Sequence, residues 1–388
     1  MSRPQETPIV IAGAGPTGLA LANCLAGQGV NFVLVDKLAA PQTTSRAAAI
    51  HARTLEVLEP LGVTDALVGA GFPIQTVVLQ DRDKTLMRVG FDQIPSRYQY
   101  ILALPQNETE AILTQRLTAL GGTVERDREV VAVVQDGSGA TVTVQDAAGS
   151  RTMIRARYVV GADGYHSVVR QAAGIGFAAS TYAETFILAD VHMDWTLPPG
   201  DMRLFLAPEG LALVVPFGGG RFRIVATVPK APPNPSRSDV QSILDQRGPR
   251  AAPVRVTDVL WSSHFRIHHG VARRYRAGRI FLAGDAAHVH SPAGGQGMNI
   301  GIQDAVALGD RLADVIAGRQ PDAYLDEYEQ ERRPIAERVV AMTDQMTRMG
   351  TLTGPVGQQL RNIGLTVAGH LPFVRRRIAT RMAELGQP

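Results

Sequence analysis

The chain has 388 residues, 45% of them hydrophobic, and a formal net charge of +3, so it can bury a large core in one or two domains. The small charge, without a long basic stripe, argues against nucleic acid as a partner, and the lack of any apolar run of about 18 residues argues against an integral membrane protein. Cys24 is the only cysteine, which excludes intrachain disulfides and cysteine-based metal sites and, with no secretory signal at the start, predicts a cytoplasmic protein.

The first segment, "TPIVIAGAGPTGLALANCLAGQGVNFVLVD", predicts a strand, a helix and a second strand. Gly13, Gly15 and Gly18 form the spacing G-x-G-x-x-G between the first strand and the helix. In such a turn the first glycine allows the tight bend, the second lets a pyrophosphate approach the backbone, and the third lets the helix pack closely. Asp36 ends the second strand about 20 residues later, where a carboxylate binds ribose hydroxyls. This context predicts an adenine dinucleotide and leaves NAD and FAD open.

The rest of the chain alternates between two styles of structure. "QNETEAILTQRLTALGG" predicts a helix in which Asn107 and Glu110 have capping-box spacing. The segments around "ARYVVGADGYHSVVR" and "GRIFLAGDAAH" return to the strand–turn–helix style, whereas 72–101 and 179–276 contain short strands separated by Gly and Pro. The remainder, from about residue 322, has a helical pattern.

We therefore predict an α/β fold, in which a discontinuous Rossmann-like nucleotide-binding domain carries an inserted antiparallel β-sheet domain for substrate and C-terminal helices. The inserted sheet is expected to lie across the nucleotide-binding domain. The predicted boundaries are 1–71, 102–178 and 277–347 for the nucleotide-binding domain, 72–101 and 179–276 for the substrate domain, and 348–388 for the C-terminal helical segment.

Two later motifs bear on the choice of dinucleotide. "GADGYHSVVR" (161–170) and "GRIFLAGDAAHVHSPAGGQGMNIGIQDA" (278–305) resemble the two further fingerprints of the group A flavoprotein monooxygenases, which have the para-hydroxybenzoate hydroxylase fold. The resemblance covers nearly the whole chain, since "SRAAAIHARTLEVLEPLGV", "PQNETE" and "YLDEYEQERRPIAERV" also match in order. The chain most resembles the phenol and polyketide aromatic hydroxylases, without the C-terminal thioredoxin-like domain of larger members.

The resemblance implies a non-covalently bound FAD, with NADPH or NADH as a transient reductant and O2 as the oxidant. It implies hydroxylation of a phenolic or polycyclic aromatic substrate by way of a flavin C4a-hydroperoxide. Members with the same framework perform epoxidation, Baeyer–Villiger insertion, drug inactivation or other oxidations of non-phenolic substrates, so these reactions stay open. A flavin-binding protein without turnover is the alternative from another class.

By resemblance, residues from all the motifs hold the cofactor. They are Gly13, Gly15, Pro16, Thr17, Gly18, Asp36, Lys37, Arg46, Gln106, Val130, Asp163, Gly164, Gly284, Asp285, Pro292, Gly295, Gly297, Met298 and Asn299. For three of these the residues also allow a structural role: a helix N-cap for Asp285, a surface salt bridge for Arg46 and helix capping for Gln106. Arg170 is expected either to support the fold or to touch ligand.

The flavin is expected to be the reactive centre, so no side chain is assigned as a catalytic group. A general base that deprotonates a phenol is optional, and its candidates in the substrate sheet are Tyr182, His192, Arg203, Arg221 and Arg223, for each of which a solvated strand residue is the alternative. Arg46 is a further candidate for a catalytic role, and candidates for the substrate pocket are Pro216, Phe217, Pro292 and Ala293. We expect no metal, since His288 and His290 have no evident carboxylate or cysteine partner.

The C-terminal stretch "LPFVRRRIATRMAEL" is amphipathic and basic. Packing against its own chain with an exposed basic face is the favoured reading, and contact with a membrane surface or another subunit is the alternative. The sequence allows a monomer or a homodimer.

Overall fold

The computed structural model describes residues 5–43, 47–292, 294–352 and 354–385, and for residues 182–184 and 267 it describes the backbone alone. The strands are β1 Gln5–Ala12, β2 Phe32–Val35, β3 Ala49–Ile50, β4 Phe72–Ile74, β5 Thr76–Asp81, β6 Lys84–Gly90, β7 Ile101–Ala103, β8 Glu129–Gln135, β9 Ala140–Gln145, β10 Arg151–Gly161, β11 Phe177–Asp194, β12 Asp201–Ala207, β13 Gly210–Gly218, β14 Arg221–Val228, β15 Arg255–Ala272, β16 Arg276–Ala277, β17 Ile280–Leu282 and β18 His288–Val289. The helices are α1 Pro16–Gly27, α2 Ala52–Leu58, α3 Thr64–Ala70, α4 Gln106–Ala119, α5 Val168–Ala172, α6 Arg237–Arg247, α7 Gly297–Ile316, α8 Asp326–Gly350, α9 Pro355–Gly369 and α10 Pro372–Met382.

A sheet that has seven strands in the described part of the chain carries the predicted nucleotide-binding unit. β1 lies inside this sheet and pairs in parallel with β2 on one side and with β10 on the other, and β10 also pairs in parallel with β17. β9 pairs with β10, and β8 with β9, in antiparallel fashion. The residues of β1 are apolar and fully buried at Ile9, Val10 and Ile11, as a central parallel strand covered on both faces requires.

The second large sheet runs in the order β18-β15-β11-β14-β13-β12-β5-β6 over the described residues. Its pairs are antiparallel except for β12 and β5, which run in parallel. One face packs against α6 through residues such as Phe205, Val214 and Ile224. The other face contributes Met202 and Val215 to the core of the nucleotide-binding sheet. The second sheet therefore has an outer face toward α6 and an inner face toward the first sheet.

The last helices cover an edge of the second sheet. α9 and α10 both pack against β6, the terminal strand. After α10 the chain turns inward at Glu384, which is 3% exposed, and the backbone N–H of Arg53 donates to the carbonyl of Ala383 at 3.2 Å. The side chain of Gln303 in α7 donates to the Glu384 carboxyl group. Long-range contacts thus fix the position of the C-terminal segment.

The predicted fold class is confirmed, and the domain boundaries remain predictions. The capping-box prediction for α4 is wrong, because the helix begins at Gln106 and its N-cap residue, Pro105, makes no side-chain cap within the described residues. Gln106 instead donates to Glu110 at 2.8 Å, an i to i+4 contact within the helix. Among the described residues, none of the helices has the length and apolar character needed to cross a bilayer.

Candidate functional site

Four parallel strands end side by side and bring the three motifs to one edge of the first sheet. Ala12 pairs with Val35 on one side and with Gly161 on the other, and Gly161 pairs with Leu282. The alignment continues past the strand ends, since Gly13 N–H donates to the carbonyl of Val35 at 2.8 Å. The carboxyl edge of a parallel sheet is where such folds bind nucleotides.

The first glycine turn contains two tightly packed positions and one open position. A Cβ on Gly13, where φ is +99°, would lie 2.3 Å from the carbonyl oxygen of Ala162, and a Cβ on Gly18 would lie 1.9 Å from that of Gly13. At Gly15, no atom of the described chain lies within 4 Å of the Cβ position. No described side chain caps the start of α1 at Pro16, so its N–H groups face this open space. The arrangement fits a diphosphate.

The second motif offers another open position. Gly164 has a φ of +80°, and its Cβ position is also without neighbours within 4 Å in the described structure. Asp163 accepts a backbone N–H through Oδ2 at 3.2 Å, while its buried Oδ1 has no partner among the described residues. Burial raises the pKa of Asp163. Arg170 donates to the carbonyls of Tyr165 at 2.7 Å and Ala286 at 2.9 Å, so it supports the fold by tying the second motif to the third.

Asp36 stands at the end of β2 beside the first glycine turn. Its Oδ2 accepts the N–H of Ala14 at 2.6 Å, and its Oδ1 accepts the N–H of Leu38 at 2.8 Å. Arg126 lies 3.6 Å from Oδ1. Each carboxylate oxygen has further lone pairs, so the group fits the predicted contact with ribose hydroxyls.

Other predicted cofactor residues surround this row of motifs. Lys37 is exposed, whereas Val130 is buried in β8. The amide of Gln106 bonds to the backbone N–H of residue 47 and to the side chain of residue 110, and its contact with the flavin stays a prediction. Arg46 and Ala293 lie outside the described residues.

Thr17 is the point where the first and third motifs meet. A Cβ on Gly284, where φ is +60°, would lie 2.4 Å from Oγ1 of Thr17, and a Cβ on Gly301 would lie 2.5 Å from the same atom. Asp285 lies in the adjoining 3₁₀ turn and is exposed at the sheet edge. Glycine is therefore required at 284 and 301 to bring α1, the turn and α7 into contact.

The glycine-rich loop, residues 294–297, is held in place by two side chains. Asn299 accepts the N–H of His51 at 2.8 Å and donates to the carbonyls of Ala49 and Gly295, each at 2.8 Å. The Nε2 atom of His51 lies 2.8 Å from the carbonyl of Gly294. Burial lowers the pKa of His51 to about 4, so at neutral pH the ring is uncharged and donates from Nε2. The Asn299 side chain thus holds the loop.

α7 begins beside buried polar atoms that have no partner in the described structure. The amide oxygen and nitrogen of Gln296, a residue that is 1% exposed, make no hydrogen bond, and neither does Nε2 of His290. A Cβ on Gly297 would lie 3.7 Å from the His290 ring. Burial also lowers the pKa of His290 to about 4. Buried polar groups usually find partners, so these atoms fit the polar edge of a bound ligand. Met298 is buried, and Pro292 is half-buried.

The expectation that His288 lacks a carboxylate partner is wrong, because Asp304 lies beside it in the core. The Nε2 atom of His288 lies 2.6 Å from Oδ2 of Asp304, and Arg332 donates to Oδ1 of the same carboxylate at 2.8 Å. Burial raises the pKa of Asp304, but the charges of His288 and Arg332 outweigh it and lower the pKa overall. No group of metal-binding side chains is found among the described residues.

The inner face of the second sheet presents Arg223 toward the first. Arg223 is 1% exposed and bonds to both carboxylate oxygens of Asp190, at 2.6 and 2.9 Å. Its Nη1 donates to the carbonyl of Ala47 at 2.9 Å. The half-buried ring of Phe217 lies 5.4 Å from the Arg223 guanidinium, and Pro216 beside it is buried. An aromatic and cationic face thus adjoins the segment that leads into β3.

The other residues that were candidates for a catalytic role lie on both faces of the second sheet. His192 is half-buried and lies opposite Arg221 across β11 and β14. Arg203 donates to Asp201 at 2.8 Å, and its cross-strand neighbour Val214 packs on the α6 side. Arg203 therefore lies on the outer face, away from the nucleotide-binding sheet. The side chain of residue 182 lies outside the described part of the chain.

Sequence reasoning missed His51 and Asp190. No spacing marks His51 within "AAIHAR", since its partners lie far along the chain. Asp190 could have been found, because Asp190 and His192 alternate on β11 as Arg221 and Arg223 alternate on β14, which places four polar groups on one face.

The open glycine turns, the uncapped starts of α1 and α7, and the Asp36 carboxylate together fit FAD. A Rossmann-like domain of this kind, with a second, largely antiparallel sheet, is the architecture that FAD-dependent monooxygenases have. The model of the family described as "FAD binding domain" matches residues 6–343, and the chain belongs to that family. The resemblance to group A flavoprotein monooxygenases is thereby confirmed.

Curated relatives carry monooxygenase names. An uncharacterized aromatic compound monooxygenase, YhjG, from Bacillus subtilis (strain 168) is 36% identical over 97% of this chain and 75% of its own length. The 6-methylpretetramide 4-monooxygenase of Streptomyces rimosus is 36% identical over 96% of this chain and 68% of its own.

Solved structures share the fold. OxyS anhydrotetracycline hydroxylase from Streptomyces rimosus has a TM-score of 0.81 and 34% identity, covering 98% of this chain and 76% of its own. The p-nitrophenol 4-monooxygenase PnpA from Pseudomonas putida DLL-E4 has a TM-score of 0.89, covering 99% of this chain and all of its own, and its 24% identity bears on the fold alone.

Proposed function

We propose that this chain uses NADPH or NADH and O2 to hydroxylate a phenolic or polycyclic aromatic substrate between the glycine-rich loop and the inner face of the second sheet. One observation carries the proposal: Arg223 bonds to Ala47, two residues before Ala49, and Ala49 accepts a bond from Asn299 at the start of α7. This chain of contacts joins the face that bears Phe217 to the loop.

FAD, when bound, supplies the redox and oxygen chemistry. The chain binds it through the open turns at Gly15 and Gly164 and through Asp36. The positive end of α7, which starts at Gly297 without a side-chain cap in the described structure, favours negative charge that develops nearby. His51 stiffens the loop in front of this helix, so the N–H groups need little reorganisation.

The inner face of the second sheet is suited to hold an aromatic ring and exclude water. Phe217 offers an apolar surface, while Arg221 and Arg223 lie within 5.1 and 5.4 Å of its ring centre. Both arginines are engaged by Asp190, so they can orient a polar group on the substrate without moving. Relatives support this substrate class, since one is named pentachlorophenol 4-monooxygenase and another anhydrotetracycline monooxygenase.

A second candidate is oxidation of an antibiotic. Two relatives, from Streptomyces venezuelae and Rhodococcus hoagii, are named rifampicin monooxygenase and are 35% and 36% identical. In this reading the same site takes a larger drug molecule, and the mass and structure of the product separate the two candidates.

The test is a substrate screen with FAD-loaded protein. NADPH and NADH oxidation is followed by absorbance with a panel of phenols, polycyclic aromatics and rifampicin, and products are analysed after reaction under ¹⁸O₂. A stimulating compound whose product gains one labelled oxygen supports the proposal. If every compound that stimulates oxidation yields only hydrogen peroxide, the proposal fails.

A further inference from the structure

The helix α9 buries a charged side chain and exposes four of its large apolar ones. Arg361 is 9% exposed and donates to the carbonyls of Leu206 at 2.9 Å and Met349 at 3.2 Å. The next residue, Asn362, donates to Asp81 at 2.9 Å. These side-chain hydrogen bonds, together with the half-buried Leu365 and Ala368, anchor α9 to the rest of the protein.

The outward face of α9 is a continuous aliphatic stripe. Val356, Leu360, Ile363 and Val367 are 68%, 65%, 60% and 57% exposed. At about 100° per residue these four positions fall within an arc of about 60° on the helix. Large apolar side chains exposed in such a row are uncommon on a surface that faces only water, so the stripe indicates a partner.

The next helix, α10, contacts α9 and also exposes an aromatic ring and basic groups. Phe373 is 70% exposed, and Arg376 and Arg377 share its side of the helix at helical spacing. We use the name α9/α10 patch for the exposed apolar and basic side chains of the two helices, whichever side of the helix they lie on; they are Val356, Leu360, Ile363, Val367, Phe373, Arg375, Arg376, Arg377 and Arg381.

The charge of the patch has one sign. The sequence from 354 to 382 contains five arginines and no aspartate or glutamate. Arg361 is buried, and the other four arginines, which belong to the patch, are exposed. A partner that covers the stripe must therefore offer an apolar interior together with negative charge.

We propose that the α9/α10 patch seats the protein on the surface of a bilayer that contains anionic phospholipids. The aliphatic stripe and Phe373 would enter the boundary between headgroups and acyl chains, and the arginines would meet the lipid phosphates. An amphipathic helix that lies in the interface needs no spanning segment, which agrees with the described helices. This proposal does not depend on the proposed function.

A second copy of the chain fits the patch less well. Two such patches related by a two-fold axis would face each other with no acidic residue from 354–382 on either copy to pair with the arginines. An acidic protein would satisfy the charge, but a bilayer satisfies both the charge and the long flat stripe.

The test is co-sedimentation of the FAD-loaded protein with vesicles of phosphatidylcholine alone or mixed with phosphatidylglycerol. We expect binding to the mixed vesicles, weakened by salt, and little binding to phosphatidylcholine. Each arginine near an anionic surface contributes roughly fivefold to binding, so R376E/R377E should lower it at least tenfold. L360E/V367E should lower it by a similar factor.

Matched controls carry the same changes elsewhere on the surface. V134E/M153E replaces two exposed apolar residues that are distant in sequence from the α9/α10 patch and matches L360E/V367E. R97E/R319E changes the charge of two other exposed arginines by the same amount as R376E/R377E. Both controls should bind vesicles as the wild type does, and circular dichroism with retained FAD shows that each variant is folded.

Three outcomes would overturn the proposal. One is a folded wild-type protein that does not bind anionic vesicles. Another is a dimer, seen by analytical ultracentrifugation, that L360E/V367E dissociates while vesicle binding is absent. The third is binding to soluble polyglutamate but not to vesicles, which would assign the patch to an acidic protein partner.

Discussion

Arg223 donates from Nη1 to the carbonyl oxygen of Ala47 at 2.9 Å, and this bond joins the inner face of the second sheet to the segment that enters β3. The same guanidinium donates two hydrogen bonds to the Asp190 carboxylate. Arg223 and Asp190 form a buried ion pair within the second sheet, and the bond from Arg223 to Ala47 ties this pair to the other half of the candidate site.

The first prediction concerns this ion pair. R223M leaves the Asp190 carboxylate buried, with Arg221 at 3.6 Å as its remaining cation among the described residues, so we expect a loss of about 3 kcal/mol in the free energy of unfolding. Urea unfolding measures it. The double variant D190N/R223M removes the uncompensated charge and should recover part of the loss. A loss below about 1 kcal/mol in R223M would contradict the role of the pair.

The glycine turn yields a pair of variants with opposite outcomes. G15V places a side chain in open space at a φ of −75°, which any residue adopts, so the protein should fold but bind FAD at least about tenfold more weakly. G18A forces a Cβ to within 1.9 Å of the Gly13 carbonyl, so the fold itself should be destabilised. Circular dichroism reports folding, and quenching of flavin fluorescence reports binding. Undiminished FAD affinity in folded G15V would show that the phosphates lie elsewhere.

Because of the buried carboxyl group of Glu384, we expect the free energy of unfolding to fall as the pH rises. Burial raises the pKa of this carboxyl group to about 8, although bonds from Gln303 and Thr54 favour the charged form. The folded chain therefore binds a proton that the unfolded chain, with a pKa of 4.5, releases. The stabilisation is complete below pH 4.5 and is lost as the pH rises to about 8, with a slope of at most about 1.4 kcal/mol per pH unit.

The matched variant is E384Q, which imitates the protonated group. Between pH 5 and 8, its unfolding free energy should change less than that of the wild type. The difference in slope corresponds to the release of at most one proton. Chemical denaturation at several pH values provides the comparison. Identical pH profiles for the two proteins would mean that Glu384 is ionised in the folded state.

His51 predicts that folding stability is lost as the pH falls, the opposite of the trend expected for Glu384. Its pKa is lowered by burial from 6.5 to about 4, so the folded chain resists a proton that the unfolded chain accepts. The stabilisation is present above pH 6.5 and is lost as the pH falls toward 4. Because His51 holds the Gly294 carbonyl, FAD release should accompany this loss.

Flavin fluorescence between pH 7 and 4 follows the release. H51Q keeps an N–H donor without the titrating ring, so its retained flavin should depend less on pH than that of the wild type. His290 has the same lowered pKa, and H290Q provides a comparison at a position that does not hold Gly294. If H51Q and the wild type lose FAD along the same curve, another group controls the release.

Several features of the fold follow from local sequence patterns. Gly13, Gly15 and Gly18 predicted a tight turn, an open position and a close helix contact, and the Cβ distances agree with those three roles. The hydrophobic pattern likewise predicted that one sheet would be interrupted by another. The glycine turn could be predicted because the conformation of a turn depends on the few residues within it. The two styles of structure could be predicted because each strand or helix has its own hydrophobic period.

Local spacing failed where a distant contact competed with it. Asn107 and Glu110 have capping-box spacing, but α4 begins at Gln106, so Asn107 lies inside the helix and not at its N-cap. Gln106 there binds the backbone of residue 47, which belongs to another part of the chain. A bond across the fold thus outweighed a cap of about 1 kcal/mol.

By itself, the sequence determined the nucleotide-binding unit, the family and the identity of the motif residues. Only the tertiary structure decided that Arg223 lies on the inner face while Arg203 lies on the outer one, and that α9 turns its apolar side outward. The reason is that a strand or helix pattern defines two faces without saying which is covered. The covering partners, such as Ala47 for Arg223 and Leu206 for Arg361, come from distant parts of the chain.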